Sequence, residues 1–386
     1  MVPIQYNLRS LWVRKVTTIA TAFGVALVIF VFSAGLMLSE GVRRAMAISG
    51  RDDTAIVLRD GSGNELSSSI PADLLNLLRE RPEIKRGDGA GVIGEIVIVI
   101  TAELNGSTAI SNVMVRGMPA DGIKFRSEVK IVGGRAPTPG TNEVIVGKGI
   151  SGRFKGIAPG QQFDLRRNRP LVVVGTFAAG GSSYESEVWG DVDVIRTSLG
   201  RPAVVSSARV RLTDPGQLAA FRTSIDADKR LGMDVMRESD YYEKQSQQTS
   251  SFFSWMAKIV AVLLSLAAMI FAAITMNGAV ANRTREIGTL RALGFSRAAV
   301  LVSFVFEAVF LSLLGGVAGT LLTLLLGLTS FSTMNFQTFS EIVVSFHATP
   351  EIIIWAIVFS LIMGLIGGLF PAIRAARTSP IEAMRA

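Results

Sequence analysis

The 386-residue sequence contains no cysteine and one histidine, His347. Without cysteine the chain has no disulfide, no thiolate metal site, no thiol nucleophile and no lipid-modified cysteine. One histidine leaves a His-based metal or catalytic centre short of ligands, and no metal site is expected. Charge is also scarce. Charged residues make up 18% of the chain, against about 25% in soluble domains. Hydrophobic residues make up 49%, which excludes a disordered chain. The net charge of +8 is the usual sign of a nucleic-acid binder, but phosphate binding needs a dense basic face that so dilute a charge does not supply. A membrane protein remains, and the +8 has to be located.

Four stretches reach the roughly 20 apolar residues that a span requires. They are 16–38, 259–280, a run within 298–328 broken only by Glu307, and 352–373. Trp12, Trp255 and Trp355 stand at or near their ends, where amphipathic rings favour the interface. The first stretch exceeds the apolar core of a signal peptide and is expected to stay as an uncleaved span. The expected layout is span one at 16–38, a large domain at 39–250, span two at 251–280, a loop at 281–298, span three at 299–328, a short outer loop at 329–350, span four at 351–371 and a tail at 372–386. Strand-like runs at 54–58, 93–101, 113–117, 143–146, 171–176 and 208–212, with helix-like runs at 71–80 and 217–229, make the large domain α+β.

Orientation follows the Lys/Arg bias of the short loops. The 281–297 loop holds Arg283, Arg285, Arg291 and Arg297, the 329–351 loop holds no Lys or Arg, and the tail holds Arg374, Arg377 and Arg385. Both termini and the 281–298 loop are therefore expected in the cytoplasm and the large domain outside. The three cytoplasmic segments hold ten basic and two acidic residues, which accounts for the whole excess of +8. The basic balance reads as a topology signal, and no nucleic-acid partner is expected.

Residues 282–297 read as a short amphipathic helix, with Ile287, Leu290 and Leu293 at helical spacing and Gly294 suited to its end. A helix of this kind can dock into a partner's groove or serve as a plain positive-inside anchor; spacing alone leaves both open. Glu307 inside span three is a buried carboxyl bonded to a hydroxyl such as Ser303 or to a neighbouring helix, or else a polar lock that changes state; the structural role is the more ordinary one. Gly315 and Gly319 in span three, and Ser360, Gly364 and Gly368 in span four, are spaced for close helix packing, more ordinarily within one chain than between copies. Pro371 ends or kinks span four, with Arg374 and Arg377 at the headgroups. Asp191 and Asp193, near Trp189, have no supporting ligand set and receive no role. No G-x-x-x-x-G-K-[ST] phosphate loop occurs; 147–149 is Gly-Lys-Gly, without the hydroxyl that holds Mg²⁺. ATP hydrolysis, if used, comes from another chain.

The run Arg-Glu-Ile-Gly-Thr-Leu-Arg-Ala-Leu-Gly-Phe-Ser at 285–296 resembles the loop that marks the FtsX-like permeases, the membrane subunits of MacB-type ABC systems. The resemblance continues through Glu307 and Gly315-Gly316 and resumes in Gly-Gly-Leu-Phe-Pro-Ala-Ile-Arg from 367 to the tail, departing only in Met384, where the family commonly has Leu. It implies four transmembrane helices with a MacB-like periplasmic core domain between helices one and two, in a bacterial inner membrane. It implies a permease homodimer on two copies of a cytoplasmic ABC ATPase, which bind the ATP and Mg; this chain itself carries no cofactor and is not an enzyme. Arg285, Glu286, Ile287, Gly288, Leu290, Arg291, Leu293 and Gly294 would then match the family's coupling helix. Residues 1–15, with Leu8, Arg9, Leu11, Trp12 and Arg14, would match its interfacial elbow helix. The implied work is mechanical transmission to the periplasmic domain for export or extraction, with a periplasmic adaptor and an outer-membrane channel as further partners besides lipid. A regulator of a cell-wall hydrolase, a lipoprotein-releasing permease and an ATP-independent scaffold are the rival readings.

Overall fold

The computed structural model describes residues 15–86, 91–201 and 203–378. The residues of the expected elbow helix before Lys15, and the tail from 379 on, lie outside the described residues. The chain divides into two units: 1–40, 251–329 and 346–386 form one, and 41–250 with 330–345 form the other.

Among the described residues four helices are long and apolar enough to cross a membrane, and their apolar stretches lie in the first unit: Lys15–Ser49, Glu238–Asn282, Arg297–Leu326 and Pro350–Ala376. They carry spans one to four. Two of them outlast their apolar stretches. The first runs on past 38 to Ser49, and the second begins at Glu238, ahead of span two. Charge marks where apolar composition ends, whereas a helix ends where its backbone bonds run out. Residues 238–250 keep helical packing through the buried Tyr241, Tyr242, Gln245, Ser246 and Thr249. The fourth helix likewise continues through Pro371 to Ala376, so Pro371 does not end it. Proline removes one backbone bond, and the last turn is held by Ala372 and Ala375, buried against Val280, Val300 and Phe304.

Span three lies almost in backbone contact with its neighbours. A Cβ on Gly315 or Gly319 would stand 2.5 Å from the carbonyl oxygen of Ala22 or Ala26 in span one. A Cβ on Gly364 or Gly368 in span four would stand 2.0 Å from Ser312 Oγ or 2.2 Å from Ala308 Cβ in span three, and Gly316 abuts Ser360 in the same way. The five small residues singled out in the sequence thus pack helices of one chain together.

The second unit is built on one mixed sheet of ten strands among the described residues. Nine lie in the order Met233–Arg237, Thr54–Arg59, Ser207–Arg211, Val92–Glu103, Ile110–Met118, Glu187–Asp191, Glu143–Gly147, Arg169–Ala178 and Lys130–Gly134, and Gln162–Arg166 adds to Arg169–Ala178. All six expected strand runs are present. Lys130–Gly134, Gln162–Arg166, Glu187–Asp191 and Met233–Arg237 were not expected, because each is short, polar or glycine-containing and is held by its paired neighbours. Helices Leu74–Arg79 and Leu218–Asp226 cover a core of Val57, Leu75, Leu78, Val210, Phe221 and Ile225. Helix Val192–Ser198 adds Ile195 to a second core with Ile96, Val115, Val146, Phe154 and Val188. Asp191 caps that helix by accepting from the backbone nitrogens of Asp193 and Val194, and Asp193 pairs with Arg196. Both acids have structural work here. Residues 330–345, expected as part of a short loop, are a hairpin of Ser330–Met334 and Glu341–Ser345 that belongs to this unit.

Period-two alternation puts Glu95, Arg116, Glu187, Trp189 and Arg209 on the opposite sheet face from the apolar residues beside them. With Glu65, Arg126 and Glu238 they form a cluster in which each of the four carboxylates and three guanidiniums is at most 4% exposed. Arg116 donates from Nε and Nη2 to the two oxygens of Glu187 at 2.7 and 2.8 Å, and from Nη1 to Glu95 at 2.8 Å and Glu65 at 3.0 Å. Arg209 meets Glu65 at 2.9 Å and Glu238 at 3.1 Å. Arg126 meets Glu95 at 2.6 Å and lies over the rings of Tyr184 and Trp189. Burial pushes Glu65 and Glu95 up, but the facing arginines outweigh it and hold both below the usual carboxylate range. Burial raises Glu238, and Arg209 and Arg126 offset that only in part. With four acids against three bases, Glu238 is the group suited to keep a proton.

Overpacking at a close helix contact costs about 1–3 kcal/mol. Gly315→Ala and Gly319→Ala are each expected to lower the thermal midpoint in detergent, and Gly24→Ala, whose Cβ meets nothing within 4 Å, is not; equal midpoints for all three would remove the packing argument. The charge cluster gives a pH prediction. A carboxyl raised in the folded state contributes fully below its ordinary value of 4.5 and loses that contribution as pH rises through its folded value. Glu65 and Glu95 have the opposite sign and lose theirs as pH falls below the ordinary value. Glu238→Gln should therefore flatten the loss of stability on the alkaline side while leaving the acid limb unchanged, as read from thermal midpoints at about pH 3, 5 and 8.

Candidate functional site

The helix Glu238–Asn282 stops at Arg283, whose backbone leaves helical geometry, and a new short helix runs from Thr284 to Ala292. Gly294 takes φ +93, the left-handed conformation that glycine adopts freely at a helix end. Ser296 then opens span three, its hydroxyl accepting from the Ala299 nitrogen at 3.1 Å. The connecting helix is thus bounded at both ends by residues outside helical geometry.

Its faces are sharply different. Ile287, 2% exposed, packs into the Val280, Val300 and Phe304 cluster, and Gly288 is buried beside it. Leu290 and Arg291 are half-buried, and Arg291 donates to the carbonyl of Phe295 at 2.8 Å. Arg285, Glu286, Leu293 and Gly294 are exposed, Leu293 at 73%. The expected apolar stripe is therefore divided: Ile287 serves the membrane unit, and Leu293 lies on the open surface among charges.

Arg283 is 7% exposed and Glu307 6%. Nη1 of Arg283 meets Oε2 of Glu307 at 3.4 Å, its Nε donates to Glu286 at 3.0 Å, and its guanidinium lies 5.8 Å from the Phe304 ring centre. Glu307 is about 15 Å along span three from Arg297 at 1.5 Å per residue. Arg283 in the connecting loop is thus one partner of the intramembrane carboxyl, for which the sequence suggests Ser303 or a neighbouring helix. The signal was available: a buried acid in a span calls for a cation, and Arg283 was counted only as a positive-inside charge. A cavity of about 50 Å³ lies beside Glu307, lined in part by Thr17, Thr21, Thr275 and Ser312. Thr21 and Thr275 share a hydroxyl contact of 3.3 Å between spans one and two. At the other end of span four, Arg374 falls in the last helical turn and Arg377 follows as its cap.

Arg283 joins the start of the connecting helix, through Glu286, to the interior of span three, through Glu307. Breaking one side of a buried ion pair costs about 3–5 kcal/mol, while replacing both sides with apolar groups is often neutral. Arg283→Met and Glu307→Met should each lower the thermal midpoint of the detergent-solubilised chain, and the double variant should recover most of the loss. Additive losses would show that the two side chains act separately.

Residues 16–228 match the MacB-like periplasmic core domain, and residues 258–380 match the FtsX-like permease C-terminal domain. The second match contains the connecting helix, Glu307 and the small residues of spans three and four. The chain is 27% identical to the pyoverdine export ATP-binding/permease protein PvdT of Pseudomonas putida, over 99% of this chain and 59% of that protein. It is 29% identical to the macrolide export ATP-binding/permease protein MacB 1 of Aeromonas hydrophila, over 63% of this chain and 38% of that protein. It therefore spans less than two thirds of the length of these relatives. The crystal structure of the periplasmic region of MacB from Actinobacillus actinomycetemcomitans aligns with 50% of this chain and 91% of that one, at a TM-score of 0.37 and 12% identity. By the two domain matches, the first of which covers more than half of its length, the chain belongs to the FtsX/MacB-type family of ABC transporter permeases.

Proposed function

We propose that this chain is the permease subunit of an ABC system in which a separate ATPase moves the connecting helix Thr284–Ala292 and the spans pass that motion to the periplasmic domain. The work done there is export or extraction of a periplasmic or outer-leaflet substrate. The observation that carries the reading is the division of the connecting helix. One face is tied to span three by Ile287 and Arg283, and the other exposes Arg285 and Leu293. A helix with one face in the membrane bundle and one exposed is placed to transmit a push.

In this reading two ATPase copies seat two copies of the chain, and the ATP and Mg are theirs. Both termini and the connecting helix lie in the cytoplasm and the large domain in the periplasm, as the Lys/Arg bias favours. The export roles printed in the names of PvdT and MacB 1 support export over control of a cell-wall hydrolase or release of lipoproteins. A periplasmic adaptor and an outer-membrane channel would complete the path.

The experiment is co-purification with the cognate ATPase. Leu293→Asp and Arg285→Glu lie on the exposed face and are expected to reduce ATPase binding about tenfold, on the scale of an interface hot spot, with the thermal midpoint of the chain unchanged. Ile287→Asp is expected to lower the midpoint itself. Full ATPase binding by the Leu293 and Arg285 variants together would overturn the proposal.

A further inference from the structure

The expected cytoplasmic segments account for the net charge, so the remainder of the chain is neutral. Many arginines of the second unit are matched there. Arg81, Arg135, Arg153, Arg196, Arg222 and Arg230 each meet a carboxylate. One hairpin departs from this. Strand Gln162–Arg166 turns through Arg167 and Asn168 into strand Arg169–Ala178, and the register sets Arg166 directly opposite Arg169. Like charges directly opposite one another destabilise a sheet, and a third cation, Arg167, stands in the turn between them. Among the described residues none of the three is in an ion pair, and neither is Asp164 beside them. The hairpin does not need these arginines to form. Asn168 takes φ +62, a conformation asparagine adopts more readily than most residues. Phe163, Leu165, Leu171 and Val173 hold the two strands to the second core. Nη1 of Arg166 approaches the Leu199 carbonyl at 3.5 Å, which brings the tip to the turn that holds Arg201. Asp193 is already taken by Arg196 at 2.5 Å, so Arg201 adds a fourth cation.

We propose that this tip, Arg166, Arg167 and Arg169 with Arg201 beside it, is a docking surface for an acidic segment of a partner protein. All four cations are arginine and none is lysine. The planar guanidinium meets a carboxylate through two parallel hydrogen bonds, which an ammonium cannot do. Residues 166–170 are all exposed, so the cations project from a turn, whereas a small anion is held in an enclosing pocket. A lipid surface is bound by basic residues together with apolar or aromatic side chains that enter it, and Arg-Arg-Asn-Arg-Pro at 166–170 has none. A nucleic acid calls for a long basic face or for stacking aromatics. An acidic peptide needs only what the tip supplies, guanidinium forks on a base fixed by the core. Carboxylates lying between Arg166 and Arg169 would also relieve their repulsion. The pair thus has the character of a binding residue set kept at some cost in stability. The proposal does not depend on the connecting helix.

The test is titration of the full chain, in nanodiscs of zwitterionic lipid at low ionic strength, with a fluorescein-labelled hexaglutamate peptide read by anisotropy. Arg166→Glu combined with Arg169→Glu should weaken binding about tenfold, on the scale of two exposed ion pairs reversed in sign. Arg222→Glu, at an exposed arginine that already meets Asp234, should leave binding within twofold. The thermal midpoint separates docking from a structural role. Arg169→Glu turns a like-charge pair into an opposite one, so its midpoint should hold or rise while its peptide affinity falls. A lower midpoint in Arg169→Glu would show that the arginines hold the hairpin together, and would overturn the proposal. A loss of less than twofold in the double reversal would overturn it as well. Tripolyphosphate and phosphatidylglycerol vesicles are the competing probes. If either bound more tightly than hexaglutamate and lost that binding in the double reversal, the assignment to a protein segment would fall.

Discussion

Within lipid there is no hydrophobic gain in bringing two apolar helices together, because the tails they displace are as apolar as they are. The bundle depends on the alternative, close backbone approach at residues without side chains. Span three supplies most of it. Gly315 and Gly319 admit span one, and Gly316 lies against Ser360 of span four, whose Gly364 and Gly368 admit Ser312 and Ala308 in turn. Everything else in the membrane unit is placed by this arrangement. Glu307 stands on the same helix, so the helix contacts fix where the carboxylate lies, and the carboxylate fixes where Arg283 and the connecting helix begin.

Span three thereby becomes the element with a defined attachment beyond each end. One is ionic, through Arg283, and the other is the hairpin that the domain holds by Glu341 and Asn335. Spans one and two differ in kind, since their helices run on as single pieces into residues of the domain unit.

Much of this was legible in the sequence, and for stated reasons. The spans follow from charge-free length, six strands of the sheet from apolar runs, and the close helix contacts from small residues four apart. The connecting helix followed from Ile287, Leu290 and Leu293 at helical spacing, but spacing does not say which residue points inward, and Leu293 turned out to face away from Ile287. The charge cluster was not legible, although each member left a mark. Arg116 interrupts Val-Met-Val, Glu95 opens an unbroken apolar run, and Arg209 sits between Ala208 and Val210. Each is a lone charge in a buried strand. Pairing them needs the strand order, because Glu65, Glu95, Arg116, Glu187 and Arg209 come from distant parts of the chain. The attachment of the 330–345 hairpin was invisible for a similar reason: its partners are up to 227 positions away in sequence, and its own residues have ordinary loop composition.

The cluster also constrains how this domain can change over generations. Seven buried charges share their partners so thoroughly that Arg116 alone serves Glu65, Glu95 and Glu187. Loss of Arg116 leaves Glu187 without its cation, and loss of Glu95 leaves Arg126 without its carboxylate, in a medium that charges avoid. Single replacements at such positions are disfavoured, while exposed positions of the domain remain free to drift. Divergence must therefore pass through linked replacements, such as an arginine and its carboxylate giving way together to an apolar pair of similar volume. Sequences that share the outline of this domain should differ at these positions in concert or not at all.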